Sequence, residues 1–398
     1  MSPRLRAAAL NAGLAAASLL LGLLCLELGL RLLAGGARGG KEQRERNRYT
    51  AYDPVLSWRK APGAHVVYER RDYHVEFDVN SLGLRGPERP YAKPPGVSRV
   101  LALGDSFLEA FTVSDPETIT ARLEHHLAQR GCRVEVINGG TIGYSTDQEY
   151  LFYREEGRKY APDVVVLFVY HNDIPPLVLD TYLGYPKPLL DFDSQPPTVL
   201  NAPVPRYTPP AETPPPPPPS PPSFLIEFVK DSLESASAQT YESLARLGLW
   251  APLRKLPVNE ELNLFRVPEL GHLRPAWSAF AWTVQSLSEA AKEDGARLVV
   301  AYVPSKMEVI PRVWERTQVR YGLGASFERS AVSHRIRLIM GRLQIPFLDL
   351  TPSFIRTDGL LSPVFFPTDG HWNARGQDVA AREASTFVIS TGSLSGCR

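Results

Sequence analysis

The longest apolar stretch opens the chain: residues 7–26 are apolar or small except for Asn11 and Ser18. About 20 residues rising ~1.5 Å each cover the ~30 Å core of a bilayer, so the pattern predicts a membrane-crossing helix. Arg4 and Arg6 ahead of it, with the small residues 34–37 behind it, also suit a signal peptide. The run exceeds the ~7 to 15 residues of a signal core, however, so a retained anchor over residues 1–34 is expected. Glu27 and Arg31 stand four apart, the spacing of a pair on one helical face. From Gly35 the chain turns small and charged, which predicts a solvated linker over 35–51 and a folded domain from about Tyr52.

Within 73–80, Val75, Phe77 and Val79 alternate with His74, Glu76 and Asp78, the period of a half-buried strand, and Asn80, Ser81 and Gly83 then supply turn chemistry. A different pattern follows. Runs that are apolar throughout, at 100–103, 134–137 and 164–169, are separated by helical stretches at about 116–129 and 146–157. Strands of that kind spaced by amphipathic helices indicate a parallel sheet covered on both faces. The rhythm breaks over 177–266, a Pro-rich stretch peaking in the six prolines 214–219. With few backbone donors it is expected to be an extended surface insertion that cannot join the sheet. The pattern resumes with a helix at about 276–294, a strand at 298–303, a helix near 326–343, a short strand at 346–350 and a last helix at about 374–389. The two halves therefore make one α/β domain over 52–390, with a tail at 391–398.

Composition narrows the function. The 398 residues carry 44 Lys plus Arg against 43 Asp plus Glu, a formal net charge of +1, so no overall field steers nucleic acid onto the surface, and none is expected as a partner. Cys25, Cys132 and Cys397 stand far apart, and neither a metal cluster nor a disulfide framework can be read from them. Six cations between Arg31 and Arg48 outnumber the two ahead of the apolar run, which by the positive-inside rule holds the domain in the cytoplasm.

Four short blocks carry chemistry, each weak alone. Gly104-Asp105-Ser106 ends the first sheet strand, at the carboxyl edge where open α/β sheets gather catalytic groups. The glycine-rich loop from Asn138 to Thr146 contains Gly143, whose freedom lets a backbone N–H point into a site. Asn172, in Tyr170-His171-Asn172-Asp173, ends the third strand. Asp369-Gly370-His371-Trp372 places a histidine just before the final helix, with an acid two residues ahead.

In this order the blocks resemble the SGNH or GDSL hydrolase family, with the Pro-rich stretch as an unmatched insertion. The resemblance implies a flavodoxin-like three-layer α/β/α fold without a cofactor. It implies Ser106 as nucleophile, His371 as base and Asp369 as the orienting acid. It further implies an oxyanion hole from the N–H groups of Ser106 and Gly143 with the Asn172 side chain. A serine hydroxyl needs an adjacent imidazole to become nucleophilic, and a carboxylate fixes that imidazole's tautomer, so the residue types suit the roles. The usual family acid lies three residues before the histidine, where Thr368 stands here; the Asp-x-His-Trp order is similar to that of membrane-linked alginate O-acetyltransferase relatives. That likeness points to an acyl ester on a cell-envelope or exported glycan as substrate and to a domain outside the cytoplasm, against the flanking charges. It leaves hydrolysis and acyl transfer open. The reading from another class is a catalytically silent scaffold that binds glycan or protein.

Among the neighbours of these blocks, Asp105 and Asp173 are rival acids, Asp105 also being suited to capping the helix that Ser106 starts or to meeting substrate. His171 suits a structural place under the loop. Lys306 follows a strand at the same edge and suits an anionic sugar, while Trp372 suits stacking on a sugar ring or sealing the last helix. His125 and His126, adjacent on a helix, face different ways and are not assigned to the site.

Overall fold

The computed structural model describes residues 3–34, 48–194, 196–207, 223–394 and 397. A helix, α1, runs over Pro3–Ala34. Among the described residues no helix is long and apolar enough to cross a membrane; part of the 7–26 run has side chains outside them. Residues 35–47 of the expected linker and the proline peak at 208–222 also lie outside the described residues.

Two antiparallel hairpins precede the main sheet. The first pairs β1 (Thr50–Asp53) with β2 (Ser57–Lys60), and the second pairs β3 (His65–Glu69) with β4 (His74–Asp78). In β4 the alternation read from sequence holds, since Val75 and Phe77 are buried while His74, Glu76 and Asp78 are exposed. Val75 and Phe77 join Tyr49, Val66, Tyr68 and Tyr73 in a small core that closes over Phe111 and Ile142.

The central sheet holds five strands: β5 (Ser98–Leu103), β6 (Val134–Asn138), β7 (Val164–Val169), β8 (Arg297–Tyr302) and β9 (Phe347–Asp349). All neighbours pair in parallel, in the spatial order β9-β8-β7-β5-β6. That is a doubly wound, flavodoxin-type order, whose direction reverses between β5 and β7. Alternate residues of each strand point to opposite faces. Leu101, Leu103, Val165, Leu167 and Val300 pack on one side with Tyr150 and Tyr153 of α3 (Thr146–Glu155) and Phe280, Val284 and Leu287 of α4 (Arg274–Glu293). Val100, Ala102, Val164, Val166 and Val299 pack on the other with Leu123 and Leu127 of α2 (Ile119–Gln129) and Val379, Ala380 and Val388 of α5 (Ala374–Ser390). The fold is therefore the three-layer α/β architecture that the apolar strands indicate.

Two features depart from the sequence reading. The insertion is not wholly extended: Phe224–Ala236 and Ala238–Arg246 are helices, the second packing Tyr241 and Ala245 against Trp250 and Val319. Ser223 and Ser237 cap them, each accepting a backbone N–H, a signal that the surrounding proline content obscures. Cys132 and Cys397 are joined by a disulfide, tying the end of the chain to the turn before β6. Their 265-residue separation hides the pairing in sequence, where no framework could be read.

Candidate active site

β5 ends at Leu103, and after Gly104 and Asp105 the chain enters a single helical turn, Ser106–Glu109. Asp105 Oδ1 accepts the Phe107 N–H at 2.9 Å and so caps that turn. This fixes Ser106 at the carboxyl edge of the sheet, beside the point where the strand order reverses. Its hydroxyl lies 2.9 Å from His371 Nε2. The other ring nitrogen, Nδ1, lies 2.6 Å from Asp369 Oδ1, so Nδ1–H donates to the carboxylate and Nε2 is left to accept from Ser106.

The spacing of the acid has a local cause. Asp369 Oδ1 also accepts the backbone N–H of His371 at 2.8 Å, closing a tight turn that fixes the backbone and the ring with one oxygen. Its other oxygen, Oδ2, accepts the Tyr73 hydroxyl at 3.0 Å. Burial would raise the Asp369 pKa, but the hydrogen bond and charge of His371, aided by Tyr73, hold it down to about 2. Thr368 is turned away: its N–H and hydroxyl donate to Asp72 Oδ2 at 2.6 and 2.7 Å. The imidazole sits between Phe107 and Phe111, ring centroids 4.7 and 4.8 Å away.

The loop after β6 is bound closely to the Ser106 turn. Thr141 N–H donates to Gly104 O at 3.1 Å, and Ile142 N–H donates to Glu109 Oε2 at 2.5 Å. At Gly140 an added Cβ would stand 2.4 Å from the Glu109 nitrogen, so only glycine permits this approach. Gly143 takes φ +74° within the turn closed by Tyr144 N–H to Thr141 O, and among the described residues its own N–H has no acceptor. Asn172 lies on the short turn after β7, its Oδ1 buried without a partner among the described residues.

The rival acids are otherwise engaged. Asp173 Oδ2 accepts the Tyr170 N–H at 2.7 Å. Burial, with Glu149 and Asp105 nearby, pushes the Asp173 carboxyl well above its usual range. Burial likewise pushes Asp105 up to about 6, against the pull of the Phe107 N–H and of His371. Buried in this way, Asp105 takes the capping place to which its sequence position suits it. Two other candidates for substrate contact have protein partners. The Lys306 ammonium is taken up by the carbonyls of Phe366, Pro367 and Asp369, at 2.5, 2.9 and 3.4 Å, so it clasps the loop that carries Asp369 and His371. Trp372 is 1% exposed, packed on Phe107 and Phe354, and seals the helix start. His126 pairs with Asp378 of the final helix at 2.9 Å, and His125 with Gln129.

Sequence reading missed the residues that hold these loops. Trp58 Nε1 donates to Ile142 O at 3.0 Å, Tyr144 hydroxyl donates to Trp58 O at 2.6 Å, and Lys60 Nζ donates to Gly140 O and Thr141 Oγ1. Asp72 and Tyr73 do the same for the acid–base loop. Trp58, Lys60, Asp72 and Tyr73 come from the two N-terminal hairpins, and only the alternation around Tyr73 marks any of these four in the sequence.

A family model described as an SGNH hydrolase-like domain, acetyltransferase AlgX, matches residues 272–395, under a third of the chain but including the Asp369 to His371 loop. No curated relative matches significantly. Among solved structures, a lipolytic protein of the G-D-S-L family from Desulfitobacterium hafniense is 12% identical, covering 73% of this chain and 99% of its own, with a TM-score of 0.36. A lipase/acylhydrolase from Enterococcus faecalis is 14% identical, covering 76% and 99%, at 0.38. A catalytic mutant of Axe2, an acetylxylan esterase from Geobacillus stearothermophilus, is 12% identical, covering 73% and 94%, at 0.39. Likeness at that level fixes neither activity nor substrate. Residues 272–395 are thus similar to the SGNH hydrolase-like domain of the acetyltransferase AlgX.

Proposed function

We propose that this chain is a serine-dependent ester hydrolase or O-acyltransferase that carries an acyl group on Ser106. The observation that supports it best is the unbroken relay from the Ser106 hydroxyl, 2.9 Å from His371 Nε2, through the imidazole to Asp369, 2.6 Å from Nδ1. In the reaction, Ser106 Oγ bonds the ester carbonyl carbon while its proton passes to His371 Nε2. The carbonyl π pair moves onto oxygen, and the N–H groups of Gly143 and Ser106 with the Asn172 amide receive that charge. Collapse of the tetrahedral species breaks the ester C–O bond, and the departing alkoxide takes the proton from His371. Water or a sugar hydroxyl then repeats the sequence in reverse. The family match names an acetyltransferase, which favours an O-acetyl group on an envelope or exported glycan.

The same proposal places residues 1–34 in the membrane and the domain outside the cytoplasm. The Cys132–Cys397 disulfide supports that side, because such bonds persist in oxidising compartments. Protease added to intact spheroplasts should digest the domain; complete protection until lysis would reverse this topology.

For the chemistry, a fluorophosphonate probe should label the full chain and fail to label Ser106→Ala. A folded, accessible parent that takes no label would instead indicate a silent scaffold.

A further inference from the structure

We infer that Lys60 is a positioning residue for the reaction at Ser106, its buried ammonium holding the 140–144 loop so that the Gly143 N–H meets the developing oxyanion. The inference rests on the roles proposed above for Ser106 and Gly143.

Lys60 ends β2 and is 1% exposed. Its Nζ donates to Gly140 O and, at 2.9 Å, to Thr141 Oγ1, and among the described residues no other cation donates to this loop. No described carboxylate lies within ion-pair distance of Nζ. The charged groups facing it are Glu109, which favours the ammonium, and Arg85 and Arg59, which oppose it. Glu109 is itself committed, accepting the Ile142 N–H at 2.5 Å and the Tyr49 hydroxyl at 2.8 Å.

Burying an ammonium without an ion pair costs on the order of several kcal/mol, and an apolar side chain of similar length would fill the space without that cost. What an apolar side chain lacks is a charged donor aimed at the loop. The loop's other restraints act at other atoms: Asn138 Oδ1 holds Gly140 N–H, Gly104 O holds Thr141 N–H, Glu109 holds Ile142 N–H and Trp58 holds Ile142 O. Among the described residues Lys60 alone grips the Gly140 carbonyl and the Thr141 side chain together, at the start of the turn in which Gly143 takes positive φ.

Burial lowers the Lys60 pKa to about 8, within reach of activity measurements. Above that pH the charge-assisted bonds to the loop weaken. The full-length protein should therefore lose kcat on a chromogenic acetyl ester as pH rises through about 8, with KM steady. Lys60→Met should lower kcat at pH 7 by about 10- to 100-fold, with KM within about threefold, and should abolish that alkaline limb. Lys60→Arg, cationic throughout, should recover part of the rate and also lack the limb. A parent without the limb, a folded Lys60→Met with parental kcat, or a folded Lys60→Arg that keeps the limb would each overturn the inference. Should Lys60→Met not fold, the parent profile and Lys60→Arg still decide. Fluorophosphonate labelling of the parent separates the two failures: an unlabelled parent removes the Ser106 reading, whereas a labelled parent with an inert Lys60 removes only this one.

Discussion

Residues 272–395 and residues 49–80 contribute to the same site by opposite means. The C-terminal region matches a family model and brings Asp369 and His371 to Ser106 through the sheet and the helix that follows. The N-terminal region lies outside that match, forms no part of the central sheet and holds none of the proposed reacting groups. Yet its two hairpins reach both flanks of the site, with Trp58 and Lys60 on the Gly143 loop and Asp72 and Tyr73 on the acid–base loop. Reacting groups are restricted to a few residue types by their chemistry. Holding groups need only a donor or acceptor at the right place, which many sequences supply.

The comparison breaks first at the reacting end. Ser106→Ala should lower kcat on a model ester by at least ~10⁴-fold, since members of such a relay act as a unit; parental turnover would show that the relay is not the machinery. Asn172→Ala, removing one proposed oxyanion donor, should cost ~100 to 1,000-fold with the fold intact by circular dichroism. Tyr73→Phe tests the holding end. Losing one hydrogen bond to Asp369 Oδ2 should cost about 2- to 10-fold in kcat and little in KM. A drop as large as that of Ser106→Ala would mean that the hairpin reacts and does not merely hold.

The same division governs what the sequence made legible. The run 164–169 is β7 residue for residue, because a strand buried on both faces must be apolar throughout. The final helix, Ala374–Ser390, stands within one residue of the expected 374–389. Ser106, Gly143 and Asn172 are legible in ordered blocks after strands, and His371 in the block before the final helix. For Lys306 the sequence shows only a cation at the sheet edge: an exposed one and one spent on three carbonyls look alike until the loop is folded over it. Trp372 stays open between two readings for a related reason, since a tryptophan beside a candidate base is equally compatible with sugar stacking and with burial. Lys60 was invisible, because nothing in one sequence marks a lysine as buried. The helices at Phe224–Ala236 and Ala238–Arg246 were missed because proline-rich composition dominated their short amphipathic pattern.

Two histidines at the sheet edge restate the contrast within one residue type, and the smallest expected effect on activity belongs to the one that holds. His371 is partnered by a carboxylate and a serine, whereas His171 is buried against Tyr170 and Phe265 with its Nδ1 unbonded among the described residues. Burial drives the His171 pKa down to about 3. The folded protein thus refuses a proton that the unfolded chain accepts near pH 6.5, so the stability from burying a neutral ring is present above about pH 6.5 and is lost as pH falls toward about 3. At pH 5 the loss amounts to about 2 kcal/mol, since each pH unit below the unfolded pKa is worth ~1.4 kcal/mol. The buried acids Asp105, Glu149 and Asp173, with raised pKa values, act in the opposite sense, so the parent's own acid profile mixes the two. The difference between parent and His171→Phe isolates the histidine. Urea unfolding should find the variant gaining on the parent by about 2 kcal/mol between pH 7.5 and pH 5, with kcat at pH 7.5 within about threefold. Parallel pH profiles for the two proteins would mean that His171 is solvated or paired in solution, and that it is no longer the inert counterpart of His371.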